Sequence, residues 1–177
     1  MKVEKIPIDL DKRRHLVYDL SAIYDLEQSY GSFNLAVRSV RIDAFDDTAR
    51  MLYFGLRHED STLTEAFVDQ HINVTNRIEI VGKIIDAISK SLPEKNKQQN
   101  DLSANQTPNN DGGNAPWEWD WLYYFGTVLL GMSEAVFWSC TPRKLFALMD
   151  VHRKYHGGDE SQSPEYQKAQ AWVDQYI

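Results

Sequence analysis

The chain has 177 residues, of which 42% are hydrophobic and 25% charged, and its formal net charge at pH 7 is -7. This composition is typical of a soluble globular protein with one ordinary domain, and the acidic excess disfavours a nucleic-acid backbone as partner. Cys140 is the only cysteine, so an internal disulfide is excluded and a reducing cytoplasm is the expected compartment. The N-terminus lacks the apolar stretch of a signal peptide, and the most apolar run, Trp121 to Met132, is too short to span a bilayer.

A β-hairpin is predicted at the start of the chain, where apolar and polar residues alternate in two runs. The charged stretch Asp11 to Arg14 separates these runs. Their apolar members are Ile6, Ile8 and Leu10, then Leu16, Tyr18 and Leu20. Because Pro7 has no amide to donate, the first strand is expected at a sheet edge, which either pairs with a strand of a second copy or stays unpaired.

Five short amphipathic helices are predicted after the hairpin, each with a capping residue followed by apolar residues at helical spacing. The predicted starts are Ser21, Ser32, Asp46 or Asp47, Thr64 and Asn76. Gly31 supplies the C-terminal residue of the first helix. In the first helix Ile23, Leu26, Glu27 and Tyr30 follow helical spacing.

The fifth of these helices has the widest apolar stripe. Asn76 and Glu79 have the spacing of a capping box at its start. Its packed face is predicted to contain Ile78, Val81, Ile85 and Ile88. Ile80 and Ile84 widen this stripe, which is either additional core or a contact surface, and self-association through the stripe or the edge strand makes a homo-oligomer our expectation.

A polar stretch from Pro93 to Pro116 follows, with three apolar residues among its 24. Such a composition cannot offset the entropy of ordering, and as a coil it would reach on the order of 25 Å. We therefore predict a hairpin and helical domain at 1–92, a flexible linker at 93–116 and an aromatic-rich helical segment at 117–177. The predicted fold class is mainly α: a small N-terminal β-hairpin, a bundle of short helices, a flexible linker and a C-terminal helical block.

The C-terminal segment contains four of the five tryptophans between Trp117 and His156. A first helix is predicted from the spacing of Trp117, Trp121, Tyr124 and Val128, and Gly131 ends it. A turn from Ser133 carries Phe137 and Trp138. Thr141 and Pro142 are typical of a new helix start, and Ser163 with Pro164 repeats the pattern for a last helix bearing Tyr166, Ala169, Val173 and Ile177.

The aromatic rings of this segment have two interpretations, which are compatible. They form the core of a small helical domain, or they form a surface that docks on another protein. Trp117, Trp121 and Tyr124 share one helical face and Trp119 lies on another, so one small helix pair is not expected to bury every ring. The predicted protein-binding residues are Trp119, Trp121, Phe137, Trp138, Thr141, Pro142 and Arg143.

No catalytic, cofactor or metal signature accompanies these rings. His152 and His156 have the spacing of a helical metal pair but lack a recognisable further ligand. Gly112 and Gly113 lack the Lys and Ser or Thr of a phosphate loop, and no base is recognisable for Cys140. We therefore expect a protein that is not an enzyme and has no cofactor and no metal.

Two parts of the chain resemble the phage tail assembly chaperones of long-tailed phages and prophages. The resemblance lies in IPIDLD, LSAIYDLEQSYGS and LYFGLRHED followed by LTEAFV, and again in WLYYFGTVLLGMSEAVFWSCTPRKLFAL. It implies a protein of the host cytoplasm, absent from the mature virion, that binds the tape-measure protein, keeps it soluble and recruits tail tube subunits. In such families a frameshift often joins a shared N-terminal domain to an extension, and the 93–116 stretch lies where that junction is expected.

Two other classes of function stay open at the level of sequence. One is a prophage-encoded adaptor or inhibitor that binds one folded host protein. The other is a metal-dependent enzyme, which requires convergent polar residues in a pocket. A tape-measure chaperone is expected to bind extended amphipathic helices in many copies, whereas an adaptor binds at fixed stoichiometry. Neither nucleic acid nor a membrane is an expected partner.

Overall fold

The computed structural model describes residues 3–41, 44–93 and 115–156. In these ranges the chain is mainly helical with one N-terminal hairpin, as the sequence predicted. The predicted helix after Ser163 and most of the 93–116 stretch lie outside the described residues.

The hairpin consists of β1 (Ile6–Asp9) and β2 (Arg13–Leu16), paired antiparallel with Ile6 opposite Leu16 and Ile8 opposite Arg14. Ile6 and Ile8 are buried while Pro7 and Asp9 are exposed, so the predicted alternation is confirmed for β1. Arg14 is buried because Asp11 accepts two hydrogen bonds from its guanidinium, at 2.7 and 2.9 Å. These paired charges offset the cost of removing Arg14 from water.

Five helices follow: α1 (Leu20–Tyr30), α2 (Phe33–Ser39), α3 (Phe45–Leu56), α4 (Glu65–Asp69) and α5 (Arg77–Ser91). The predicted caps Ser32 and Thr64 each accept a hydrogen bond from an amide three residues on, and Gly31 ends α1 with a φ of 83°. The predicted start at Ser21 is wrong, because Asp19 caps α1 through the amide of Ala22. Ser21 lies inside the helix.

The predicted capping box of α5 is also wrong. Asn76 makes no side-chain cap, and its side-chain Oδ1 accepts instead from the backbone amide of Asn73 at 2.9 Å. Glu79 pairs with Lys83 at 2.9 Å rather than reaching back to the helix start. The side chain of Asn73 accepts from the amides of Thr75 and Asn76, so it organises the turn before the helix.

The packed face of α5 is rotated from the predicted one. Ile80, Ile84, Ala87 and Ile88 are buried with Val81. Ile78 and Ile85, which were predicted to pack, are 66% and 53% exposed. Packing of α5 on β1 and α3 selects the buried face. Ile84 is therefore a core residue, and it cannot belong to a contact surface.

The C-terminal segment contains α6 (Trp119–Tyr124), a π-helical turn (Phe125–Leu129), α7 (Glu134–Trp138) and α8 (Pro142–His156). Helix starts at Ser133 and at Pro142 agree with the sequence, and Gly131 follows the π turn with a φ of 66°. The sequence did not predict the π turn.

Residues of the C-terminal segment belong to the same hydrophobic core as the hairpin and α1 to α5. Trp117, Leu122, Phe125, Phe137, Leu145 and Phe146 are among them. Polar contacts also join the two parts, since the amide of Leu20 donates to the carbonyl of Cys140 at 2.8 Å. Arg143 donates to the carbonyls of Leu92 at 2.9 Å and Ser89 at 3.0 Å. The segment thus folds onto the N-terminal part of the chain.

Candidate functional site

A buried carboxylate on α1 anchors the aromatic segment. The oxygens of Glu27 accept hydrogen bonds from the amide of Phe33 at 3.2 Å, the amide of Trp117 at 3.1 Å and the indole Nε1 of Trp119 at 2.6 Å. Burial raises the pKa of Glu27, and the three donors act in the opposite direction. Glu27 therefore fixes the start of the C-terminal segment against α1 and α2.

A continuous row of rings extends from this anchor toward the surface. Trp117 is buried, with its ring edge to face on Phe33 at 6.1 Å between centroids. Trp119 stacks on Trp117 at 5.5 Å and on Trp138 at 6.1 Å. Tyr24 of α1 meets the rings of Trp119 at 5.2 Å and Trp138 at 5.5 Å. Such offset and edge contacts stabilise a fixed arrangement of rings.

We call the outer part of this row the aromatic ledge, and it consists of Tyr24, Trp119, Tyr123 and Trp138. Tyr123 is exposed and lies 6.1 Å from Trp138 between ring centroids, while the other three are partly exposed. Tyr124 of α6 and Val136 of α7 are also exposed, as are Val128 and Leu129 of the π turn between these helices. The ledge thus exposes parts of its aromatic rings, and their contacts with one another and with the buried Trp117 fix their positions.

The residues next to the ledge in the sequence include several acidic ones. Glu118, Asp120 and Glu134 are exposed, and residues 115–141 contain no Lys, Arg or His. Glu134 also accepts from the indole Nε1 of Trp138 at 3.4 Å. A surface of rings and carboxylates suits apolar side chains accompanied by Lys or Arg.

Gly126 in the π turn lets α7 pack closely against this part of the chain. A Cβ on Gly126 would lie 2.5 Å from Cδ2 of Phe137, so only glycine leaves room for this ring. Phe137 in turn meets the edge of Tyr123 at 5.3 Å. Gly126 thereby allows Phe137 to support the ledge from beneath. Single-turn π segments are frequent at functional sites.

The structure separates the seven predicted binding residues into different roles. Trp119 and Trp138 belong to the ledge. Trp121 is partly exposed, but its ring packs on Phe125 at 5.2 Å, next to His152 of α8. Phe137 is 0% exposed, so it is a support residue and is unavailable for contact with a partner.

The predicted corner of Thr141, Pro142 and Arg143 also has a structural role. Thr141 and Pro142 are buried at the start of α8. The guanidinium of Arg143 binds the two carbonyls at the end of α5 described above. These residues position α8 against α5, which removes Thr141 and Pro142 from the predicted contact surface.

Sequence reasoning missed Tyr24, Glu27 and Tyr123 as site residues. For Glu27 a signal was present, because a glutamate on the apolar face of a short helix requires buried donors. For Tyr24 and Tyr123 no local signal distinguishes them from ordinary helix residues, since their role depends on contacts across the chain.

The described ranges contain no group of three or more His, Cys, Asp or Glu side chains that could hold a metal ion. Burial raises the pKa of the Cys140 thiol, which disfavours the thiolate. None of the helices in these ranges is both long and apolar enough to cross a membrane.

We compared the chain with protein-family models, curated proteins and solved structures, and none of the three comparisons found a match.

Proposed function

We propose that this chain is a phage tail assembly chaperone that binds the tape-measure protein, keeps it soluble and recruits tail tube subunits during virion assembly. The observation that carries the proposal is the aromatic ledge, which presents Trp119, Tyr123 and Trp138 on a buried support. The resemblance of the sequence to tail assembly chaperones supplies the identity of the client. The protein acts in the host cytoplasm and is absent from the mature virion.

The ledge supports client binding for an energetic reason. Its rings are fixed by Glu27 and by ring contacts, so little side-chain entropy is lost when a partner covers them. Aromatic rings in such positions commonly contribute about 2 kcal/mol or more each at an interface. A client with exposed apolar helices gains this contact and loses its own tendency to aggregate.

Co-expression with a tape-measure protein tests the proposal through the fraction of client that stays soluble. The informative variant is Tyr123→Ser, because Tyr123 is exposed and contacts Trp138. Tyr155→Ser is the matched control, since Tyr155 is an exposed tyrosine at the end of α8. Trp119 is unsuitable for substitution because its indole binds the buried Glu27.

We expect the wild type and Tyr155→Ser to keep the client soluble, and we expect Tyr123→Ser to lose most of this effect while it stays folded. Equal client solubility with Tyr123→Ser, or no effect of the wild-type chain, contradicts the proposal. Capture of one folded host protein at fixed stoichiometry, without any effect on the client, indicates the adaptor function instead.

A further inference from the structure

The three helices that supply the aromatic ledge contain carboxylates and no cation. The sequences of α1, α6 and α7 contain no Lys, Arg or His. Their acidic residues are Asp25 and Glu27 on α1, Asp120 on α6 and Glu134 on α7. The ledge is therefore built from elements that each have a negative net charge.

Only two of these carboxylates are available to a partner. Asp25 is paired with the guanidinium of Arg57, and Glu27 is buried, where it accepts the hydrogen bonds described above. Asp120 and Glu134 are exposed. Neither of them forms an ion pair with a cation in the part of the chain that the structure describes.

Both exposed carboxylates lie beside accessible aromatic rings. On α6, Asp120 is three residues before Tyr123 and four before Tyr124, so the three side chains share one side of the helix. These tyrosines are 37% and 51% exposed. On α7, Glu134 accepts from the indole Nε1 of the partly exposed Trp138 at 3.4 Å.

A ring beside a carboxylate favours one kind of side chain on a partner. The stem of Lys or Arg packs on an aromatic ring while its cation approaches the carboxylate, and the ring face also attracts the cation. Asp or Glu at the same place would meet a like charge. A wholly apolar partner would remove Asp120 from water without supplying a counter-ion, which is unfavourable.

We propose that the ledge binds a cationic amphipathic helix, whose large apolar side chains cover Tyr123 and Trp138 and whose Lys or Arg side chains pair with Asp120 and Glu134. These two carboxylates determine the charge preference. The inference rests on the proposed function, which makes the ledge the contact surface and the client helical, and it adds the charge of the client segment that binds.

A second copy of this chain is a poor occupant of the ledge. Two ledges facing each other would bring Asp120 and Glu134 of one copy against the same residues of the other, and like charges at an interface are unfavourable. The formal net charge of -7 also disfavours association of two copies.

A double variant removes the two charges and keeps the shape of the ledge. In Asp120→Asn with Glu134→Gln each side chain keeps its size, and the new amide oxygen on α7 can still accept from the indole of Trp138. The matched control is Asp69→Asn with Asp86→Asn, which removes two exposed carboxylates of α4 and α5 and changes the net charge equally. Circular dichroism checks that both double variants keep the helix content of the wild type.

Two fluorescein-labelled peptides of about 20 residues serve as probes, because shorter helices are marginal in water. Both have the same apolar face, and one carries Lys and the other Glu at the flanking positions. Fluorescence anisotropy on titration with the full chain measures their affinities. We expect the Lys peptide to bind the wild type at least about tenfold more tightly than the Glu peptide. This ratio should fall below about threefold in the ledge double variant and stay unchanged in the control.

Tyr123→Ser shows whether the peptide lies on the ledge, and we expect it to weaken the Lys peptide at least about tenfold. Equal affinity of the two peptides for the wild type, or no binding of the Lys peptide, overturns the inference. An affinity ratio that the ledge double variant leaves unchanged also overturns it. A concentration-dependent dimer in sedimentation that Tyr123→Ser abolishes identifies a second copy as the occupant instead.

Co-expression with the tape-measure protein separates failure of this inference from failure of the proposed function. Client solubility that is lost in Tyr123→Ser but kept in the ledge double variant refutes the charge preference and leaves the proposed function standing. If the wild-type chain does not keep the client soluble, the proposed function fails. A Lys preference that the ledge double variant removes would then still support a cationic helix of another protein as the occupant.

Discussion

Glu27 is the residue on which the position of the aromatic segment depends. It is buried, and its two oxygens accept from donors of α2 and of the C-terminal segment. A buried donor that loses its acceptor costs about 1–3 kcal/mol. The Glu27 carboxylate therefore links stability to the placement of the ledge.

Replacement of this carboxylate by an apolar side chain of similar size should be strongly destabilising. In Glu27→Leu the amide of Phe33 and the indole of Trp119 lose their acceptor. We expect the free energy of unfolding to fall by at least about 2 kcal/mol in urea titrations followed by tryptophan fluorescence. Glu118→Leu, at an exposed position, should stay within about 0.5 kcal/mol of the wild type. A loss for Glu27→Leu no larger than that for Glu118→Leu would refute the anchoring role.

A second buried carboxylate gives the chain a pH dependence. Burial raises the pKa of Asp19 from 3.8 to about 6, although the amide of Ala22 donates to it. The folded state then binds the proton more tightly than the unfolded state. This contribution to stability is fully present below about 3.8 and declines as pH rises through about 6.

Asp19→Asn isolates this effect, because asparagine caps a helix as well as aspartate and carries no charge. At pH 7.5 we expect the variant to be more stable than the wild type by about 1–3 kcal/mol, and near pH 4 we expect the difference to approach zero. Urea denaturation at both pH values measures it, with the exposed Asp69→Asn as control. A difference that is the same at the two pH values would show that Asp19 does not titrate as described.

The sequence predicted helix caps correctly where a single residue type determined the end of the helix. Ser32, Thr64 and Gly31 act as expected. Asp19 and Ser21 are both good capping residues two positions apart, so the sequence pattern fits either of them as the start of α1. The choice depends on which backbone turn packs, and a local pattern does not contain that information.

Among the elements, α5 shows why helix existence is easier to predict than helix orientation. Its apolar residues at positions 78, 80, 81, 84, 85 and 88 extend around much of the helix. Periodicity alone then fits more than one face, and packing on β1 and α3 decides between them. The π turn was unpredictable for a related reason, since it depends on Phe137 meeting Gly126 across two elements.

Two glycines in helical elements should respond in opposite ways to alanine. Gly82→Ala should raise the free energy of unfolding by about 0.5–1 kcal/mol, because it adds helix propensity in open space. Gly126→Ala should lower it by about 1–3 kcal/mol, because its Cβ would lie 2.5 Å from the ring of Phe137. Urea denaturation of the two variants beside the wild type measures both effects. A stabilising Gly126→Ala would contradict the described packing of α7 against the π turn.

On the scale of the whole molecule, one core contains residues from both ends of the described chain. Trp117, Phe137 and Leu145 belong to it together with Leu20 and Ile84. Sequence alone does not decide whether the aromatic segment packs on the N-terminal part of the chain, because composition identifies a polar stretch but not the contacts between the parts on either side of it. The division into three parts stays a prediction.

The shared core leads to a test with a protease site inserted between residues 93 and 115. After complete cleavage we expect the two fragments to co-elute in gel filtration, because Glu27, Leu20 and Arg143 join them without the intervening chain. Glu27→Leu in the same background should weaken this association. Separate elution of the fragments from the otherwise unchanged chain would mean that the interface is too weak to hold them.

The mainly helical fold and the hairpin were predictable, because they follow from periodicity and composition. The division of the rings into buried and partly exposed ones was not predictable. Phe137 and Trp138 are neighbours of similar chemistry, yet one is fully buried and the other partly exposed. Only the contacts with α6 and α1 distinguish them.

The proposed function requires that the aromatic ledge is the surface that contacts the tape-measure protein. Hydroxyl-radical footprinting with mass spectrometry measures it most directly, through the oxidation rates of Tyr123, Trp138 and Tyr155 in the free chain and in the complex. We predict that the rates at Tyr123 and Trp138 fall several-fold on binding, on the order expected for rings covered by an interface, while Tyr155 keeps its rate. Unchanged oxidation of Tyr123 and Trp138 in a complex that demonstrably forms would contradict the claim.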